Sequence, residues 1–475
     1  MSIFRKAKSG FYRRQKPSSA TRSAIRTCIL AQSTGAVLVQ VLINGGLLPL
    51  FILHLGGTKF EVGAAFTAHF FSQLIRVPVA RYVDVRRLKH MVVLWFLVGA
   101  VVFAGVFAAV PVADLAGSRA AVWLVITVFF FQRLTVNIGA AAWHPLLCDI
   151  VPSRLRGRFF GRMRATFQTV SLTIVLLTGL YLGKTPQTHH YVGILGLLLI
   201  MNLMRPFLLL RLPNPPPARP GAPEPILQNM KHPVLDAGFR RFLLFWGLVA
   251  FVINVARPFV VPFLKTDLHF PSSVTVYASG GMVAGMVLTL MAWGRLADHA
   301  GNRLVFLLNL LLLAASFILL AVTPGFAGLP AMALVSAALS LILIGTAIGG
   351  LGIAHTVRRM HEAPVAHRGP YMNLFMTFNG VIAGLGSMAG GFLLDRLPET
   401  LPLGGTETLT LRVFFFVAAL LLVATSLMLR GLKPIAERPI RETVLLLTEN
   451  FLSVLPTPIQ SAAAPRRRGT PRRKP

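Results

Sequence analysis

Long apolar runs alternate with short polar segments along the chain, and the runs have the length of membrane-crossing helices. A bilayer core of about 30 Å needs about 20 apolar residues per helix. The pattern predicts twelve helices, spans 1 to 12, at roughly residues 26–53, 61–80, 90–111, 120–145, 160–182, 191–211, 242–264, 272–296, 303–323, 330–356, 371–394 and 411–430. Between spans 6 and 7, residues 213–225 are rich in proline, which interrupts helices, so this stretch is predicted to be a linker.

The composition agrees with a membrane protein. Of the 475 residues, 55% are hydrophobic and 13% are charged, and the mean hydropathy is +0.68, whereas soluble domains are about 45–50% apolar. No catalytic Ser/His/Asp order, carboxylate pair or metal-ligand spacing is present. The sequence therefore predicts a protein that is not an enzyme and that needs neither a cofactor nor a metal.

The strong positive charge indicates an orientation in the membrane. Lys and Arg number 47 against 15 Asp and Glu, a formal net charge of +32, which in a soluble protein would suggest a nucleic-acid partner. Here the basic clusters end apolar runs on one side, and the positive-inside rule places that side in the cytoplasm. We expect both termini to be cytoplasmic in a bacterial inner (plasma) membrane, with the basic tails near anionic lipid and no nucleic acid bound.

The second half of the chain repeats motifs of the first half at nearly constant separation. Residues 152–157 and 364–369 both read P-x-x-x-R-G, Asp84 corresponds to Asp298, and Asn44 corresponds to Asn254. The repeat predicts two parallel six-helix halves. The predicted regions are a basic arm (1–23), an N-terminal half (24–211), a proline-rich linker (212–240), a C-terminal half (241–432), and an amphipathic, then disordered basic tail (433–475).

The turn after span 8 reads G-x-L-A-D-x-x-G-x-R over residues 294–303 and resembles the loop signature of the major facilitator superfamily of membrane transporters. The first copy departs from it, because Ala80 and Arg87 stand where the two glycines belong. The resemblance implies an all-α fold of twelve transmembrane helices in two halves that rock around a central site. We also expect a monomer.

Several residues follow as candidates for conformational gating. Gly294 is expected to allow close helix approach and Gly301 a tight turn. By the resemblance, Asp298 is expected to face the start of span 5. The full set is Gly294, Asp298, Gly301, Arg303, Asp84, Arg156, Gly157, Arg368 and Gly369.

Placing a charged residue inside a membrane span is unfavourable in free energy, so each such residue is a candidate for function. Arg133 lies well inside span 4, with Asn137 one helical turn later, and Arg257 lies in span 7. Arg205 and Arg76 are placed nearer the cytoplasmic ends, where their side chains could extend to the interface. The candidate substrate or cavity residues are Arg133, Asn137, Arg257, Asn254, Asn44, Gln168 and Asn379.

The remaining question is what is transported. No carboxylate lies at mid-membrane, which favours an anionic or neutral polar solute over an organic cation. His69 is the candidate for proton coupling, because it is the mid-span residue that can titrate near neutral pH. The sequence thus predicts secondary active transport of a small organic solute, ion coupled. The alternatives are a membrane sensor or assembly protein on the same scaffold, or a lipid transporter.

Overall fold

The computed structural model describes residues 19–83, 88–152, 155–213, 232–364, 368–403 and 406–432, and these are almost entirely helical. The predicted basic arm, most of the predicted linker and the predicted C-terminal tail therefore lie outside the described residues. The division into halves, linker and tails stays a prediction.

The first six spans match their predicted positions, with ends that differ by at most seven residues. Span 1 breaks near its middle, since Gly46 adopts a left-handed φ of 75° that glycine tolerates best. A capping box between Thr58 and Glu61 begins span 2. The helices are Ser19–Val39, Gln40–Asn44 and Leu47–His54 (span 1); Lys59–Phe71, Ser72–Ile75 and Arg76–Val83 (span 2); Leu88–Ala104, Gly105–Ala108 and Ala109–Ala116 (span 3); Ser118–Ile150 (span 4); Arg156–Leu182 (span 5); and Thr188–Leu210 (span 6).

The last six spans match equally well. Asp236 caps the start of span 7, because its Oδ1 accepts hydrogen bonds from the backbone N–H groups of Gly238 and Phe239 at 2.8 and 3.1 Å. The helices are Ala237–Ala256, Arg257–Phe259, Val260–Pro262 and Phe263–Asp267 (span 7); Ser272–Ala300 (span 8); Asn302–Ala321 (span 9); Pro330–Glu362 (span 10); Arg368–Arg396 (span 11); and Thr410–Leu427 with Met428–Gly431 (span 12). An antiparallel hairpin, β1 (Thr400–Leu403) and β2 (Thr406–Leu409), joins spans 11 and 12.

Within the described part of the chain, eleven helices are long and apolar enough to cross a membrane. They correspond to spans 1 and 3 to 12. Span 2 has the required length but contains the polar residues His69, Gln73 and Arg76, which lower its hydropathy. The protein is therefore an integral multi-pass membrane protein, with a nearly all-helical fold close to the predicted twelve-helix count.

The bundle has two ends, which we define by the connections between spans. The basic end holds the span ends at Val83 and Leu88, Ile150 and Arg156, Leu210 and Ala237, Ala300 and Asn302, and Glu362 and Arg368. The opposite end holds those at His54 and Lys59, Ala116 and Ser118, Leu182 and Thr188, Asp267 and Ser272, Ala321 and Pro330, and Arg396 and Thr410. Spans 1 to 6 and spans 7 to 12 bury most of their apolar side chains in separate clusters, although Val261 and Val276 join the cluster of the first group. The two groups meet mainly where span 2 packs on span 11 and span 5 packs on span 8.

Small residues allow these helices to approach closely. A Cβ atom on Gly391 of span 11 would lie 2.9 Å from the Cα of Phe60, and one on Gly63 of span 2 would lie 2.5 Å from the carbonyl oxygen of Ser387. The Thr67 hydroxyl adds a hydrogen bond of 2.9 Å to the carbonyl oxygen of Gly384. Glycine at these contacts is a packing requirement, as is common between membrane helices.

The two groups of spans are held together at the opposite end. The backbone N–H of Ser273 donates to the carbonyl oxygen of Gly183 at 3.0 Å, and the Lys59 ammonium lies 3.5 Å from the Asp267 carboxylate. Toward the basic end, a Cβ on Gly161 or on Gly294 would meet no atom within 4 Å. The described contacts between the two groups thus hold the bundle closed at the opposite end.

Candidate functional site

A basic cluster occupies the middle of the bundle. Its members are His69 and Arg76 of span 2, Arg133 of span 4 and Arg257 of span 7, and the charges of all three arginines act on His69. The His69 ring stacks on Phe129 with centroids 6.3 Å apart. Three of these four residues are candidates from the sequence, and Arg76 is an addition. We call these four residues the central cluster.

Arg133 has an unused hydrogen-bond donor among the described residues. Its side chain is half-buried, and its Nε has no hydrogen-bond acceptor among the described residues. The adjacent Gln132 is buried, and its Oε1 is likewise unpartnered within the described chain. A guanidinium with an unused donor in a membrane-spanning helix is expected to meet water or a ligand.

Asn137 accepts hydrogen bonds from Arg76 and not from Arg133. The Arg76 Nε and Nη2 atoms donate to Asn137 Oδ1 at 3.1 and 2.6 Å. The Asn137 amide nitrogen donates to the Ser72 hydroxyl at 2.9 Å. Asn137 is fully buried, so its polar atoms tie span 4 to span 2. The expectation that Arg76 extends toward an interface is wrong, since Asn137 holds it in the interior.

Arg257 is connected to the first half through Asn44. The Arg257 Nη2 atom donates to Asn44 Oδ1, and the Asn44 amide donates to Gln40 Oε1. The Arg257 Nε remains unpartnered among the described residues. This contact joins span 7 to the break in span 1, so Arg257 presents one used and one unused donor at the junction of the two groups of spans.

The other predicted cavity residues lie apart from the central cluster in their contacts. Asn254 is buried and its amide donates to the Ala250 carbonyl oxygen at 2.7 Å, within its own helix. Asn379 accepts a hydrogen bond of 2.8 Å from Trp246 Nε1. Gln168 is buried in span 5. The binding role of Asn254, Asn379 and Gln168 stays a prediction.

Arg205 is buried, and the expectation that it extends to the interface is wrong. It is 6% exposed, its guanidinium carbon lies 3.6 Å from the centre of the Phe96 ring, and its Nη2 donates to Gln32 Oε1 at 3.3 Å. Gly35 makes room, because a Cβ there would lie 2.2 Å from Arg205 Cδ. Stacking on aromatic rings stabilises the cation away from water.

The gating candidates are only partly described. Gly301 has a left-handed φ of 83°, which confirms its predicted role in the turn. The close helix approach expected at Gly294 is not found, because a Cβ atom on Gly294 would meet no atom within 4 Å.

Arg156 caps the end of span 4. Its Nη2 donates to the Cys148 carbonyl oxygen at 2.8 Å and its Nε to that of Val151 at 3.2 Å. Arg303 begins span 9 and is half-buried. Asp84 lies outside the described residues, and of Gly157, Asp298, Arg368 and Gly369 only the backbone helix is described. The predicted approach of Asp298 to span 5 stays a prediction.

Metal binding finds no support in the described part of the chain, where no group of three or more His, Cys, Asp or Glu side chains is placed to hold an ion. The described ion pairs lie near span ends: Lys59 with Asp267, Arg119 with Glu61, and Arg358 with Glu362. The arrangement in the bundle centre is therefore one of cations and amides, suited to binding a polar solute.

Solved structures with the same arrangement of helices are membrane transporters. The nucleoside transporter NupG superposes with a TM-score of 0.64 at 14% identity, covering 87% of this chain and 99% of that one. The inward-open xylose transporter XylE from E. coli has a TM-score of 0.60 at 13% identity, covering 90% and 98%. A bacterial homologue of the human lysosomal transporter Spinster, inward-facing and unoccupied, has a TM-score of 0.54 at 16% identity, covering 91% and 97%. These identities show a shared fold.

The sequence comparison is decisive for the family. No curated protein sequence matches significantly. The family model of the Major Facilitator Superfamily, however, matches residues 33–354 and again residues 247–467. Together these matches extend over most of the chain, including all the spans that form the central cluster, and the protein belongs to the major facilitator superfamily of membrane transporters.

Proposed function

We propose that the protein is a secondary active transporter that moves a small polar organic solute by alternating access. The observation that supports this most directly is the central cluster. In it, the Nε donors of Arg133 and Arg257 have no partner among the described residues, and unused polar groups inside a membrane protein raise its free energy unless a solute or water meets them. The superfamily membership makes transport the function that such a site serves.

The conformational cycle is proposed from the two ends of the bundle. The first six spans form one rocking half and the last six the other, with spans 2, 5, 8 and 11 as the surfaces that slide or separate. By the positive-inside rule we propose that the basic end is cytoplasmic, in a bacterial inner membrane, so that the end held closed by Lys59 and Asp267 faces outward. In the outward-open state, Asp298 is proposed to meet Arg156 and the start of span 5.

Ion coupling is proposed to use His69. Its ring lies among Arg76, Arg133 and Arg257, and its Nδ1 has no hydrogen-bond partner among the described residues. We propose that the ring takes up or releases a proton in step with solute binding. The protein is proposed to act as a monomer, with membrane lipids as its other contacts.

Counterflow in proteoliposomes tests the transport function. Purified protein is reconstituted, the vesicles are loaded with pooled metabolites, and uptake of labelled members of the pool is followed with and without a proton gradient. We expect saturable counterflow of at least one solute and dependence on the gradient. Absence of exchange for every solute, with protein shown to be inserted and folded, would contradict the proposal and favour a sensor or an assembly role.

A further inference from the structure

The central cluster has no internal counter-ion among the described residues. The charges of Arg76, Arg133 and Arg257 act on one histidine, and no described ion pair includes any of the three. The carboxylates that the chain does place in spans lie near helix ends, such as Asp149 and Asp395. Several positive charges held without negative charge in a region of low dielectric are unfavourable. The described residues do not supply this negative charge, and a bound anion would.

The three arginines differ in how many donors they have left. Arg76 is engaged twice by Asn137. Arg257 uses Nη2 on Asn44 and keeps Nε free of any partner in the described chain. Arg133 makes no hydrogen bond with the described residues. The available donors thus come from span 4 of one group of helices and span 7 of the other, and the charges of both arginines act on His69.

The chemistry of the unused groups selects the ligand. Guanidinium N–H groups match the oxygens of a carboxylate or a phosphate, and such charge-assisted hydrogen bonds are about twice as strong as neutral ones. A neutral solute would leave the positive charge uncompensated, and a cation would add to it. The size of the solute is limited by the need to touch both Arg133 and Arg257.

We propose that the transported solute is a small organic anion, with a carboxylate or phosphate group that binds Arg133 and Arg257 together beside His69. This inference rests on the proposed transport function and deepens it. Because the two arginines belong to different groups of spans, the anion would bridge them, and its binding would favour closure of the cavity around it.

Binding to the purified, detergent-solubilised full chain tests the proposal. Thermal stabilisation is measured with matched pairs of probes: succinate against succinamide, glucose 6-phosphate against glucose, and adenosine monophosphate against adenosine. The carboxylate and phosphate arms identify which group is preferred. We expect at least one anion to raise the melting temperature in a saturable way, while its neutral partner has no effect.

Variants then locate the anion. Arg133→Gln and Arg257→Gln are each expected to weaken binding of the stabilising anion by about 10- to 100-fold, as expected for the loss of a hydrogen bond to a charged group. Arg133→Lys keeps the charge but loses the planar pair of donors, and an intermediate loss is expected. Arg119→Gln is the control, since Arg119 lies at the opposite end with its side chain 90% exposed.

The outcomes separate this inference from the proposed function. Stabilisation by neutral probes only, by no anion, or by an anion whose affinity is unchanged in both glutamine variants overturns the anion site. If one glutamine variant fails to fold, the anion affinity of the other glutamine variant tests the site. Counterflow of a neutral metabolite would preserve the transport function while refuting the anion, whereas loss of all counterflow would remove the function itself.

Discussion

The ion pair between Lys59 and Asp267 is the clearest test of how the opposite end is held closed. It joins span 2 to span 7, with 3.5 Å between Nζ and Oδ1, and its side chains are 20% and 10% exposed. Asp267→Asn removes the charge but keeps the shape. Lys59 retains access to water, so the variant does not trap an unpaired buried charge, and the chief effect is loss of attraction between the two groups of spans.

The magnitude follows from the partial burial. Fully exposed pairs contribute about 0.2–1 kcal/mol, and this pair is mostly shielded, so about 1 kcal/mol is expected for closure of the opposite end. A change of that size alters the ratio of closed to open molecules about fivefold. Because the structure is closed at that end, the variant should shift the population toward molecules that are open there.

Spin-label distances measure the shift. Leu115 of span 3 and Leu329, directly before span 10, are exposed positions near the opposite end, and labels on cysteines placed there report separation of the two groups of spans. We expect a larger fraction of long distances in Asp267→Asn than in the parent protein. Lys59→Gln should give a similar shift, and the double variant should add little to either single change, since one interaction is removed in all three.

The matched control is Arg119→Gln. Arg119 and Glu61 lie at the same end, but 4.0 Å apart and both within spans 2 to 4, so their contact does not join the two groups. This variant removes one charge there and should leave the distances unchanged. Equal shifts in the control and in Asp267→Asn, or no shift in either, would show that the ion pair does not hold the opposite end closed.

Three further changes test other contacts. Gly391→Ala places a Cβ 2.9 Å from Phe60 Cα. The overpacking should reduce the free energy of unfolding by about 1–3 kcal/mol and so lower the melting temperature. Gly196→Ala is the control, since its Cβ would meet no atom within 4 Å, and equal melting temperatures for the two variants would contradict the packing argument. Arg205→Lys loses the stacking on Phe96 at 3.6 Å and should destabilise by about 0.5–2 kcal/mol, measured by thermal unfolding; an unchanged midpoint would show that stacking contributes nothing. Asp298→Asn should leave a folded, inserted protein with much reduced transport and should matter more than Asp84→Asn, because the second copy of the loop motif is the fuller one; uptake at the parent rate would refute this.

Much of the fold was predictable because its causes are local. An apolar run of sufficient length must become a helix in lipid, where every backbone polar group needs an internal partner. Span 4, predicted at 120–145, is Ser118–Ile150, and span 12, predicted at 411–430, begins at Thr410. Gly301 was likewise predictable, since the turn between two helices needs a residue that accepts a positive φ.

The sequence predicts most of the residues of the candidate site, but it does not predict their hydrogen-bond partners. Arg133, Arg257 and His69 are identified from the sequence because a charged or titratable side chain inside a membrane span has a high free-energy cost. Asn137 lies one helical turn after Arg133 on the same face, yet its hydrogen-bond partner is Arg76, 61 positions earlier. Helical periodicity reports which residues share a face. It contains no information on which other helix supplies a closer partner.

The sequence by itself determined the membrane class, the positions of the spans, the superfamily signature and the excess of cations over acids in the interior, because each follows from composition or short spacing. The tertiary structure alone decided that Arg205 lies under Phe96, that Gly294 stands free of close neighbours, and that Arg257 reaches Asn44 across the two groups of spans. These contacts join residues distant in the chain. They depend on how whole helices are positioned, and that is fixed by the sum of many packing contacts.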